Sequence, residues 1–267
     1  MVELVVAGAA GRMGGRIIAL ARDAADLRVV GAFERSGHPS LGRDAGEMAG
    51  AGHLGVSIVA DPAPLLTRGR ILVEFTAPEP SLEHLRVAAD RGAGAVVGTT
   101  GLQAAQVEEI RRLAARVPIL QSPNMSVGVN LAFRVLALMA KALGDDYDVE
   151  ITEIHHRMKK DAPSGTAAKM AEVIAEALGR QIEDAGVYGR HGLVGERTTK
   201  EIGVHALRGG DVVGDHTVVF STVGERLELT HRAQSRDTYA RGALRAARFI
   251  AAASPGLYTM HDVLGLA

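Results

Sequence analysis

Cysteine is absent from the 267 residues, and so is tryptophan. Without cysteine there is no disulfide framework, no thiolate zinc site and no iron–sulfur cluster. Chemistry through a thiol nucleophile is excluded as well, which removes the aldehyde-oxidising dehydrogenases that pass through a thioester. Aromatic residues make up only 3% of the chain, too few for base-stacking platforms that hold single-stranded nucleic acid. An excess of either charge is also missing, because 30 Lys and Arg stand against 31 Asp and Glu. No global field therefore favours nucleic acid or an anionic membrane. No uninterrupted apolar run approaches the ~20 residues of a bilayer span. The opening MVELVVAGAAGRMGGR has no basic leader before its glycines. The expectation is a cytoplasmic protein with no nucleic-acid or membrane partner. What is present, 47% hydrophobic and 23% charged residues, is an ordinary globular mix with enough chain for two modest domains.

The first half alternates short apolar runs with helix-like stretches. ELVVAG (3–8), LRVVGAFE (27–34), ILVEFTA (71–77), AVVGTTG (95–101) and VPILQS (117–122) read as strands. Between them, Met13, Ile17, Ile18 and Ala21 recur at helical spacing, and PEPSLEHLRVAADRG predicts a helix capped by Ser81 and stopped at Gly92. Such βα alternation indicates a parallel sheet buried on both faces. After about residue 125 the pattern changes. SVGVNLAFRVLALMAKALG (126–144) reads as a long apolar helix, and YDVEITEIHHR (147–157) as a strand whose alternation shifts between Ile151 and Ile154. SGTAAKMAEVIAEALG (164–179) is a second helix; IGVHALRG, DVVGDHTVVFSTVG and RLELTHRA read as consecutive antiparallel strands. His191 to Glu201 is the most loop-like stretch, and 237–253 returns to a strong helix. The expected class is α/β with a second α+β domain, the two sharing one active site.

Gly8-Ala9-Ala10-Gly11-Arg12-Met13-Gly14 lies between the first strand and its helix. Small residues belong there if the backbone is to approach a pyrophosphate at a helix N-terminus. The spacing GxxGxxG is weak evidence alone, but Glu34 ends the next strand, where a carboxylate can accept hydrogen bonds from ribose hydroxyls. Arg35 follows and can pair with a 2′-phosphate, so NADH and NADPH both stay open. Gly98-Thr99-Thr100 and Ser122-Pro123-Asn124-Met125 end two further strands on the same edge and would line the nicotinamide half.

The stretch His155-His156-Arg157-Met158-Lys159-Lys160-Asp161-Ala162-Pro163-Ser164-Gly165-Thr166-Ala167 is cationic in a neutral chain and points to an anionic small substrate. Ser164 suits an N-cap, and Gly165 and Thr166 would present N–H groups as a carboxylate cradle. A histidine here can act as a general acid near neutral pH, and a neighbouring lysine can donate instead. Adjacent histidines on a strand point to opposite faces and no carboxylate is expected beside them, so no metal site is expected.

GAAGRMG, Glu34-Arg35, FTAPE, VVGTTG, PNMSVGVN, HHRMKKDAPSGTA, LRGGDVVGDHTV and HRAQSRDTYARGAL occur in this order over nearly the whole length. In them the chain resembles the 4-hydroxy-tetrahydrodipicolinate reductase family, long called dihydrodipicolinate reductases, of the diaminopimelate route to lysine. The resemblance implies a Rossmann-type nucleotide domain of about 1–125 plus 237–267. Residues 126–236 would then form a substrate-binding and tetramerisation domain with a mixed sheet. It implies a homotetramer, an NADH or NADPH cofactor and a small cyclic dicarboxylate substrate that is reduced at C4 and protonated at C3. Carried onto matching positions, Gly8 to Met13, Glu34 and Arg35 bind the dinucleotide, and Gly98 to Thr100 with Ser122 to Met125 contact its nicotinamide side. His155 is the proton donor, Lys159 assists it, His156 contacts substrate, and Gly165 with Thr166 bind a substrate carboxylate. Met158 departs from the family pattern, which often carries another histidine there, and Lys160 is an extra cation. Two other readings compete: a different two-domain dehydrogenase of small amino or hydroxy acids, and a nucleotide-sensing protein without catalysis.

Overall fold

The computed structural model describes residues 1–266. In chain order its strands are β1 (Val2–Ala7), β2 (Leu27–Phe33), β3 (Ile58–Val59), β4 (Arg70–Glu74), β5 (Gly94–Val97), β6 (Pro118–Gln121), β7 (Asp148–His155), β8 (Gly186–Val187), β9 (Ile202–Arg208), β10 (Gly214–Thr222), β11 (Glu225–Ala233) and β12 (Gly256–Tyr258). The helices are α1 (Arg12–Arg22), α2 (Ala45–Met48), α3 (Pro78–Arg91), α4 (Ala104–Ala114), α5 (Val127–Leu143), α6 (Gly165–Ala177), α7 (Ile182–Ala185), α8 (Asp237–Ile250) and α9 (Met260–Leu264). Two compact units result: Met1–Val127 with the chain from Asp237 onward, and Gly128–Arg236.

The first unit holds a seven-stranded sheet in the order β12-β6-β5-β4-β1-β2-β3, with every pairing parallel. Strands buried on both faces alternate their side chains between two cores. Leu4 and Val6 of β1, Ile71 and Val73 of β4, and Val96 of β5 join Ile17 and Ile18 of α1 and the Ala240–Ile250 face of α8. Val5, Leu72, Ala95 and Val97 turn the other way, onto Leu82 and Leu85 of α3 and Ile110 of α4. The strand order reverses between β1 and β4, the point at which ligands enter such sheets beyond the carboxyl ends of the strands.

Helix α3 corrects one expectation. Ala77 precedes Pro78, is held extended at ψ 163, and is itself the N-cap, with Pro78 at the first helical position. Ser81 therefore lies inside the helix, fully buried, with its hydroxyl 2.6 Å from Thr99 Oγ1. Gly92 ends the helix in the left-handed conformation at φ 72.

In the second unit a five-stranded sheet runs β11-β10-β7-β9-β8. Hairpin partners β10 and β11 are antiparallel, as are β10 and β7, but β9 pairs parallel with β7 instead of antiparallel with β10. Strand β7 thus inserts between two strands expected to be neighbours, and the sheet is mixed. The alternation of β7 does not shift either: Val149, Ile151, Glu153 and His155 all face inward, and Ile154 lies on the opposite face. Helices α5 and α6 cover one face through Val129, Phe133, Leu136, Met170 and Ile174. Val127–Asp146 has a mean hydropathy of 1.5 and the length of a membrane span, with 33% of that window buried. Its other side exposes Leu131 and Leu138. Residues 188–201 form no helix or strand.

Candidate functional site

Between β1 and α1 the chain turns on Gly8 at φ 60, and the Gly11 N–H donates to Gly8 O at 2.9 Å. Gly14 completes the approach, since a Cβ there would lie 2.2 Å from Gly8 O. Gly11 caps α1 with no side-chain hydrogen bond, so Arg12, Met13 and Gly14 present the helix's first N–H groups and its positive end past the turn. The Ala9 N–H is tied to Phe33 O at 3.2 Å, and the Ala10 N–H donates to Glu34 Oε1 at 3.1 Å. Glu34 is therefore folded back onto the glycine turn. Beside it opens a cavity of about 660 Å³ that Gly8, Glu34, Arg35, Thr76, Glu83 and His84 help to line. A tight turn that excludes side chains, an uncapped helix start, and a carboxylate beside a cavity suit a dinucleotide's pyrophosphate and adenosine half.

The two strand-end loops serve differently from one another. Gly98 accommodates the Phe75 ring, whose Cε1 would be 2.0 Å from a Cβ. Thr99 is buried with its hydroxyl turned to Ser81, while Thr100 is exposed. Ser122 Oγ donates to Asn124 O at 2.8 Å, and Asn124 Oδ1 accepts the Ser126 N–H at 2.9 Å. Met125 is buried in the core, so it offers a ligand only its backbone, as Thr99 does; Pro123 is exposed.

Glu74, Thr76 and His84 were not foreseen. Glu74, fully buried at the end of β4, accepts from the Thr76 N–H at 2.8 Å, from the Thr76 hydroxyl, and from His84 Nδ1 at 2.7 Å. His84 also stands edge-on to Phe33 with centroids 4.7 Å apart. The available signal was a lone carboxylate inside the apolar run ILVEF.

In the second unit His155 closes β7, largely buried, with Nδ1 2.6 Å from Glu153 Oε2. A carboxylate thus stands directly beside the histidines, against expectation; a period of two places Glu153 and His155 on one strand face. Gly214 makes room on the other side of the ring, for a Cβ there would be 2.9 Å from His155 Nε2. His216 crosses the ring edge-on at 5.2 Å and lies 3.0 Å from Ser164 Oγ through its own Nε2. Burial first, and then its neighbour His155, push His216 down to about 4, so it is neutral at physiological pH.

Ser164 caps α6 by accepting the Ala167 N–H at 3.1 Å. Gly165, which is exposed, and Thr166 occupy the first two helical positions, whose N–H groups project beyond the helix end. Lys159 lies in the loop before them, its Nζ 2.8 and 2.9 Å from the two oxygens of Asp161. The His156 N–H donates to Val212 O at 2.7 Å, and its Nδ1 is buried with no hydrogen-bond partner. Met158 and Lys160 are exposed. Strand, loop and helix start thereby gather an imidazole, a primary amine and a positive helix end within one unit. Among the described residues no group of three or more His, Asp or Glu side chains is arranged to hold a metal ion.

Comparison with known proteins matches both units. The family model described as dihydrodipicolinate reductase, N-terminus, covers residues 2–125, and that described as dihydrodipicolinate reductase, C-terminus, covers residues 128–264. The 4-hydroxy-tetrahydrodipicolinate reductase of Syntrophus aciditrophicus is 51% identical over 265 residues, 99% of each chain. That of Citrifermentans bemidjiense is 52% identical over 266 residues, 100% of each chain. Among solved structures, a dipicolinate-bound dihydrodipicolinate reductase from a Paenisporosarcina species superposes with a TM-score of 0.78 at 21% identity, covering 98% of both chains.

Proposed function

The chain belongs to the dihydrodipicolinate reductase family, and on that premise we propose that it reduces 4-hydroxy-tetrahydrodipicolinate to tetrahydrodipicolinate with NADH or NADPH, on the diaminopimelate route to lysine. It is an oxidoreductase with a Rossmann-type nucleotide unit. The observation that carries the reading is the second unit's cluster, in which a histidine, a lysine and an exposed helix N-terminus stand together as a dicarboxylate requires. A nucleotide-sensing protein would have no use for that cluster.

The reduced nicotinamide, when bound, supplies the hydride. Residues Gly8 to Met13 hold the pyrophosphate against the start of α1. Glu34 releases the Ala10 N–H and accepts from the adenosine ribose, and Arg35 pairs with a 2′-phosphate when one is present. Gly98, Thr99 and Thr100, with Ser122, Pro123, Asn124 and Met125, line the nicotinamide side, Thr99 and Met125 through their backbones. His155 gives the proton to the ring carbon next to the site of reduction. Gly165 and Thr166 take one substrate carboxylate and His156 contacts the substrate. Lys159 exchanges Asp161, whose side chain is 63% exposed, for a substrate carboxylate and assists protonation. Ile154, Leu207 and Val219 stand on the sheet face away from α5 and α6, and Leu138 of α5 is 69% exposed. Such apolar surface supports a homotetramer built through the second unit, working in the cytoplasm.

The test follows loss of NADH and of NADPH absorbance separately, with substrate generated enzymatically in the cuvette. Consumption with that substrate is expected. No consumption with that substrate while small amino or hydroxy acids are oxidised with NAD⁺ or NADP⁺, or binding of nucleotide without turnover, would overturn the reading.

A further inference from the structure

Glu153 is fully buried, and both of its oxygens are engaged. Oε2 accepts from His155 Nδ1 at 2.6 Å and from Arg208 Nη1 at 2.8 Å. Oε1 accepts from Arg208 Nη2 at 3.0 Å and from the Ser164 N–H at 2.9 Å. Arg208 is held in turn by the carbonyls of Leu207 and Asp161, each at 2.6 Å. Burial alone would raise the proton affinity of Glu153, but Arg208, His155 and the Ser164 N–H outweigh it and keep the carboxyl below its ordinary range.

An ionised carboxylate can only accept hydrogen bonds. A 2.6 Å contact with one therefore requires a hydrogen on His155 Nδ1 whether the ring is neutral or charged. The hydrogen that can leave is then the one on Nε2, the nitrogen beside Gly214. The other oxygen of the same carboxylate grips Ser164, the residue that caps α6 and precedes Gly165 and Thr166. One rigid side chain spans the imidazole and the carboxylate cradle.

We propose that Glu153 is the positioning residue of the reduction: it holds His155 as the Nδ1–H tautomer, so that Nε2 is the donating nitrogen, and it sets that nitrogen in register with the start of α6. The inference rests on His155 as proton donor. Glutamine at this position has one acceptor oxygen for four donor N–H groups on three residues. If that oxygen serves Arg208 and Ser164, an NH₂ group faces Nδ1, which must then accept and leave its hydrogen to Nε2.

The test combines ¹⁵N NMR of the histidine rings with steady-state kinetics on the full chain, His155 being assigned by the signal lost in His155→Gln. In the unsubstituted protein the neutral ring should give a protonated-type Nδ1 and an unprotonated-type Nε2. Glu153→Gln should lose that pattern and lower kcat by up to about 10²- to 10⁴-fold, the range of a general acid's contribution, with nucleotide Kd unchanged. Glu153→Asp, which keeps the charge, should recover part of the kcat lost in Glu153→Gln. An Nε2–H tautomer in the unsubstituted protein overturns the inference even if Glu153→Gln fails to fold, and so does a folded Glu153→Gln with undiminished kcat. An Nδ1–H tautomer in a protein that leaves the substrate unreduced would instead remove the proposed reaction and keep the tautomer assignment.

Discussion

Gly14 and Gly15 are adjacent in the first turn of α1, yet alanine should have opposite effects at the two. A Cβ at Gly14 would sit 2.2 Å from Gly8 O and 2.9 Å from Ala9 Cα, both backbone atoms of the glycine turn. That is roughly 1 Å inside ordinary contact, and no flexible side chain can yield, so α1 must withdraw from the turn by about that distance. Overpacking of this kind destabilises by about 1–3 kcal/mol. On the proposed role of the turn, the same withdrawal would carry the helix's N–H groups off the pyrophosphate. Losing one charge-assisted hydrogen bond, worth about 1.5–3 kcal/mol, weakens nucleotide Kd by roughly 10- to 150-fold. At Gly15 the nearest atoms, Ala49 Cα and Ala9 O, are 3.9 Å from the Cβ position. Gly15→Ala should therefore keep the wild-type Kd and gain up to about 1 kcal/mol from removing a helical glycine. NADPH titration by fluorescence and thermal melts of both variants measure the two effects. Wild-type affinity in Gly14→Ala, or equal behaviour of the two variants, would refute the argument that backbone closeness at Gly14 builds the phosphate site.

His155→Gln should lower kcat by about 10²- to 10⁴-fold and leave nucleotide Kd unchanged, since the glycine turn belongs to the other unit; stopped-flow turnover and NADH titration report the two separately. Lys159→Ala should raise substrate KM and lower kcat with little loss of stability, because its partner Asp161 is 63% exposed and such ion pairs contribute under about 1 kcal/mol; an unchanged KM would remove Lys159 from the substrate site. Glu150 tends upward by burial, but Arg190, His205 and Arg197 bring it down to about 2. Because its folded pKa is depressed, its contribution to stability is present above its ordinary value of 4.5 and is lost as pH falls toward about 2. Arg197→Gln should flatten the stability–pH curve across that window in urea titrations at stepped pH, and an unaltered slope would exclude the network as its source.

The parallel sheet and its glycine turn were legible because their signals are local: apolar runs, a turn of small residues, and Glu34 at the next strand end. Ser81 has the side chain of a cap, but Pro78 holds Ala77 extended and starts the helix earlier, so a single residue type does not locate the helix start. The partner of β9 was not legible, since strand pairing is decided by contacts far apart in sequence, and β7 takes the place that adjacency assigned to β10. At the site, His155, Lys159 and the start of α6 came from one contiguous string. Glu153 lay two residues away on the same strand face and could have been found by carrying the alternation through polar positions. Arg208 and His216 could not, because only the folded sheet brings β9 and β10 to the end of β7.

The first unit is discontinuous. It is left after Val127 and rejoined at Asp237, and the seam is narrow, with Ser126 Oγ 3.4 Å from Thr238 Oγ1. Beyond the seam come α8, whose Ala240, Ala243, Leu244, Ala247 and Ile250 fill one of that unit's two cores, and β12, which completes an edge of its sheet against β6. On the ribosome, the amino-terminal strands must therefore wait with the part of one apolar face that α1 does not cover left open, while more than a hundred intervening residues are translated. Those intervening residues have both ends anchored at neighbouring points, so they form a cassette that a short linker could replace without separating the halves of the nucleotide-binding scaffold.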